Sequence, residues 1–102
     1  MAIINPKLAK QCADVMAGIA EPTRIQIIEV LSTGPKNVGE ISKALKIEIV
    51  NASHHLGVLR TTGLVENKKD GRFVIYTLDS KFSKSKDGLS LDLGWCKLKI
   101  DS

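Results

Sequence analysis

Asn51, Ser53 and His54 are interleaved with apolar residues in the stretch E-I-V-N-A-S-H-H-L-G-V-L-R-T-T, Glu48 to Thr62. Ala52, Leu56 and Leu59 recur at i, i+4 and i+7, which places them on one face of a helix. The polar three fall off that stripe. An amide, a hydroxyl and an imidazole presented together are groups that read base edges and grip phosphates. The cations Lys68, Lys69 and Arg72 surround Asp70-Gly71, a two-residue hairpin signal between β-rich runs. Such charges suit a phosphate backbone, and they also serve simply to keep a strand edge soluble. With Arg60 they complete the candidate DNA-contact set.

The remaining reactive side chains point elsewhere. His54 and His55 are adjacent, so on a helix they diverge by about 100° and cannot chelate one metal together. His55 lies close to the apolar stripe and reads as a structural histidine at the edge of the core. Arg24, in P-T-R, reads as a salt-bridge or helix-packing residue. Cys12 and Cys96 form no C-x-x-C. Either they are small hydrophobes or they form a thiol switch, closed by a disulfide or a metalloid. There is no Gly-rich phosphate loop, nucleophile motif, paired-carboxylate constellation or metal cluster, so no enzyme and no cofactor is expected.

These residues need elements to hold them. Asn5-Pro6 caps and starts a first helix bearing Leu8, Cys12, Val15 or Met16, and Ile19, with Gly18 a soft spot near its end. Pro22 starts a second helix, apolar on more than one side, which Gly34-Pro35 stops. Asn37 and Glu40 form a capping box for a short third helix carrying Val38, Ile41 and Leu45. Lys46-Ile47 is then a tight connection into Glu48–Thr62, which Gly63 ends. Short helix, turn and longer helix with a polar face is the helix-turn-helix layout. The hairpin after it makes a wing. Residues 80–88 read as a polar linker, and 89–102 as a strand-like segment with a bulge or bend at Gly94. Residues 1–79 form the winged helix-turn-helix unit in this division, and the fold class is mainly α with a β-hairpin wing.

The 102 residues suit one domain, and their hydrophobic and charged fractions, 43% and 25%, are those of a globular chain. No apolar run approaches the roughly 18 residues of a membrane helix, and no signal peptide is evident. The expected location is the cytoplasm. Of the net charge of +4, residues 36–78 contribute +3 from seven bases and four acids. That excess fits nucleic acid, and equally an ordinary solvated face.

The ordered set A-E-P-T-R-I-Q-I-I-E-V-L, V-G-E-I-S-K-A-L, A-S-H-H-L-G-V-L-R-T-T-G-L-V and D-G-R-F-V-I-Y-T-L, over about residues 15–79, resembles the ArsR/SmtB family of winged helix-turn-helix repressors. The resemblance implies a homodimer, joined through the first helix and the C-terminal segment, that represses at a palindromic operator of double-stranded DNA until an effector arrives. It implies that Asn51, Ser53 and His54 face DNA and that Lys69 and Arg72 contact phosphate. The chain departs from the family at P-K-N-V-G-E, which has no cysteine or histidine of a metal-sensing motif. It also lacks the C-terminal helix that carries an Asp/His/Glu site in other members, so no metal ligands are expected and no effector is identified. Glu48-Ile49-Val50 replace the family's polar helix start. A winged-helix protein-interaction module that does not bind DNA is the alternative, with Ile49, Val50 and the apolar C-terminal strand as its surface.

Overall fold

The computed structural model describes residues 5–94 and 97–101. The described residues form four helices, α1 (Pro6–Ile19), α2 (Pro22–Leu31), α3 (Val38–Leu45) and α4 (Ile49–Thr61). Strand β1 (Lys36–Asn37) precedes α3, and β2 (Val65–Asp70) and β3 (Phe73–Leu78) follow α4. Strands β4 (Phe82–Ser85), β5 (Gly88–Asp92) and β6 (Lys97–Asp101) end the described chain. The strands form two antiparallel three-stranded sheets, in the orders β1-β3-β2 and β4-β5-β6.

Local chemistry accounts for the helix ends. The Asn5 side chain accepts from the amides of Lys7 and Leu8, with Pro6 in the first turn of α1. The expected capping box is present: the Glu40 amide donates to Asn37 Oδ1 at 2.8 Å and the Asn37 amide to Glu40 Oε1 at 2.9 Å. Lys46 ends α3 in the left-handed region, φ 56°, and Ile47 with the extended Glu48 completes the turn into α4. Packing then follows the apolar stripes. Ile27, Ile28, Ile41, Ala52, Leu56, Leu59 and Leu64 are fully buried in one cluster. This is the winged helix-turn-helix, with β2–β3 as wing.

Four features differ from the sequence-based expectation. The hairpin loop is Gly71-Arg72 rather than Asp70-Gly71, because Asp70 pairs with Phe73. Gly71 has φ +61° while Arg72 does not have a positive φ, which is the requirement of a turn with glycine in first position. Part of the expected polar linker is strand β4, whose Phe82 is opposite Leu91. The expected bulged strand is a hairpin: Leu89 pairs with Ile100 and Leu91 with Leu98. Directly opposed residues share a face, so the switch from odd to even apolar positions marks a chain reversal. The apolar face formed by Phe82, Leu89, Leu91, Leu98 and Ile100 packs on the helical core. Strand β1, unforeseen, docks the start of α3 onto β3 through Lys36–Tyr76 and Asn37–Ile75.

Candidate nucleic-acid interface

Helix α4 presents its sites by rotation about its own axis. Each residue turns the side chain by about 100°. Leu59 therefore points about 180° away from Val50, and Ala52, Leu56 and Leu59 together cover the buried side. Ser53, His54 and Gly57 all fall within about 60° of Val50 on the open side, and all four are exposed. Asn51 is also exposed but lies on the flank of this face, about 100° from its centre. Arg60 is exposed in the last turn, some 13 Å along the axis from Asn51. It borders a cleft along the wing, with Gly63, Glu66, Lys68 and Lys69 also on the cleft lining.

The wing separates residues that sequence proximity had grouped. Lys68 pairs with Ile75 and Lys69 with Val74, so the two lysines project from opposite faces of the hairpin. Arg72 occupies the loop, its guanidinium 5.8 Å from the centre of the Phe73 ring, within cation–π range. Lys68, Lys69 and Arg72 are all exposed. The structure thus presents a polar helix face and a basic hairpin tip, with every residue of the candidate set available to a partner.

Behind this face, α4 is held by a polar junction. Arg24 Nη1 lies 3.1 Å from His55 Nδ1, and Arg24 Nε donates to the Gly18 carbonyl at the end of α1. A guanidinium can only donate, so Nδ1 is the acceptor in this geometry. Glu21 Oε2 is farther from the same nitrogen, 3.6 Å, and instead takes the Arg24 amide at 2.9 Å as the cap of α2. Desolvation raises the Glu21 pKa, but the Arg24 amide bond and neighbouring positive charge outweigh it and hold the group below its ordinary 4.5. The structural roles expected for Arg24 and His55 are the ones observed. Gly18 is a packing site rather than a soft spot: a Cβ there would lie 2.8 Å from Thr62 Cγ2 at the end of α4.

Cys12 is buried on α1, and Cys96 lies outside the described residues. Among the described residues, no three His, Cys, Asp or Glu side chains gather as a metal-holding group, and no helix is long and apolar enough to cross a membrane.

The model of the arsR family of bacterial regulatory proteins matches residues 21–67, from the cap of α2 into the wing. The transcriptional repressor SdpR of Bacillus subtilis is 30% identical over 66% of this chain and 74% of its own. The chain belongs to the ArsR family. The regulator NmtR of Mycobacterium tuberculosis is 35% identical over 74% of this chain, which spans only 62% of NmtR's length. Among solved structures, the homodimeric winged helix-turn-helix DNA-binding domain Mb0332 of Mycobacterium bovis aligns with a TM-score of 0.69 at 31% identity. That alignment covers 76% of this chain and 75% of Mb0332. Within this ArsR-family chain, sequence alone placed Val50 only on a protein-interaction surface, left Gly57 without a role and marked Gly18 as a soft spot. The helical rotation of α4 was the available signal for the first two. The close approach of Gly18 to Thr62 depends on tertiary packing and left no mark in sequence.

Proposed function

We infer that the protein is a homodimeric, sequence-specific DNA-binding transcriptional regulator, a repressor at a palindromic operator in the cytoplasm. The observation that carries this is the exposed polar face of α4, set behind the α3 turn and beside a basic wing, in a chain of the ArsR family. Asn51, Ser53 and His54 enter the major groove, while Arg60, Lys68, Lys69 and Arg72 hold phosphates on either side. Two copies joined through α1 and the C-terminal segment place their α4 helices in successive grooves about 34–36 Å apart. The reading contains no catalytic step and no cofactor. SdpR is named a repressor and Mb0332 is described as homodimeric, which supports both parts of it. No observation favours a thiol response through Cys12 and Cys96, or a protein-interaction module, over this reading.

Selection of duplexes from a random pool, followed by titration at several salt concentrations, tests it. The expected outcome is an enriched inverted repeat and an affinity that falls linearly on a log–log salt plot. Failure to bind any duplex in a salt-dependent way would sink the reading.

A further inference from the structure

The first turn of α4 combines two unusual features. Val50 is 78% exposed and Ile49 54% exposed, the highest values among the large apolar side chains described. Glu48, the residue capping the helix, makes no side-chain cap bond. Neither β-branched residue gains burial in return for its weaker helix propensity. The turn's side-chain donor, Asn51, lies on the flank of the open face, and the Glu48 carboxylate is repelled by phosphates. Yet Val50 is the centre of the open face, with Ser53, His54 and Gly57 within about 60° of it. Two turns on, a Cβ at Gly57 would meet nothing within 4 Å, so backbone and partner can come close there.

An apolar patch of two side chains is far smaller than a protein docking core. It matches in size the apolar feature that the major groove offers, the C5 methyl of thymine. The surroundings supply the complementary charge, since residues 36–78 carry seven bases and four acids. The N-terminal residues of a recognition helix are also the ones that meet base edges.

We propose that Val50, flanked by Ile49, is a specificity-determining residue that reads a thymine C5 methyl in each half-site of the operator. The proposal rests on the DNA-binding reading above and adds the base group recognised. Thymine's methyl distinguishes it from uracil, whose hydrogen-bonding groups are the same. Burying one methyl group corresponds to about fourfold in affinity.

The test uses the full chain and a duplex selected from a random pool, with each thymine replaced in turn by uracil. Wild-type protein loses affinity about fourfold at one thymine or more in each half-site. Val50→Ala, an exposed substitution toward a better helix former, keeps its thermal midpoint and its salt dependence and shows no such penalty at those positions. If the uracil penalty is absent in the wild type, or persists unchanged in Val50→Ala, the assignment is overturned while the DNA-binding reading stands. A wild-type protein that binds no duplex overturns both.

Discussion

Arg24 shows how one side chain can join three helices. It extends from α2, donates to the last turn of α1 at Gly18 and reaches His55 on the inner edge of α4. Glu21 caps the same junction. Its folded pKa lies below the ordinary 4.5, so the folded state binds fewer protons at this site than the unfolded chain. The stability it contributes is complete above about pH 4.5 and is lost as pH falls through the depressed folded value. Glu21→Gln retains an acceptor for the Arg24 amide but has no charge to titrate. The variant should be less stable than wild type at pH 7, with a deficit that narrows on acidification below pH 4.5. Thermal midpoints measured from pH 7 to pH 3 give the answer, and parallel curves for the two proteins would discount the junction's electrostatic role.

At the scale of elements, the contact between α1 and the end of α4 depends on the absence of a side chain at Gly18. Gly18→Ala puts a Cβ against Thr62 and should cost about 1–3 kcal/mol through overpacking, read in urea denaturation. Gly18→Ala combined with Thr62→Ser, which removes the clashing Cγ2, should recover part of it. No loss in the single variant would mean that the helices separate freely. The wing is the second element with a separable role. Lys69→Ala and Arg72→Ala should each lower affinity about equally for all duplexes and reduce the salt slope by about one. A loss confined to one operator sequence would instead assign these residues to base contact. Because Lys68 projects from the opposite face of the hairpin to Lys69, the two alanine variants should not have equal effects in the same titrations.

The proposed dimer has to hold two α4 helices at a fixed separation, a task for surfaces remote from α4. Leu8 and Met16 remain 41% and 39% exposed on α1, apolar area that a single copy leaves uncovered. If α1 joins the dimer, Leu8→Asp and Met16→Asp weaken self-association, shown by sedimentation equilibrium as a rise in the dimer dissociation constant of tenfold or more, equivalent to about 1.4 kcal/mol. Monomer folding should be little affected, since both sites are open in one chain. Unchanged association in both variants would remove α1 from the interface. The C-terminal sheet gives this family member a different scaffold from the expected single strand, and its Leu89 and Leu91 are buried in the common core.

Much of this was legible in the residues. Asn5-Pro6, Asn37 with Glu40, and Gly63 mark helix ends through local hydrogen bonding and backbone freedom, so sequence alone placed them. The stripe of Ala52, Leu56 and Leu59 fixed which side of α4 turns inward, because helical periodicity is a local property. The alternating C-terminal leucines correctly indicated strands. Their pairing was decided only by tertiary structure, since the same alternation serves one bent strand or two antiparallel ones. Strand β1 is too short to leave a pattern and exists because β3 offers it an edge. The division of Lys68 from Lys69 follows from strand alternation, a local property, whereas the loop at Gly71-Arg72 was placed only by the pairing of Asp70 with Phe73. Sequence determined the helices, their caps and the polar character of α4. Tertiary structure decided the sheet partners, the Arg24–His55 junction and the close approach at Gly18, because each depends on residues distant in the chain meeting in space.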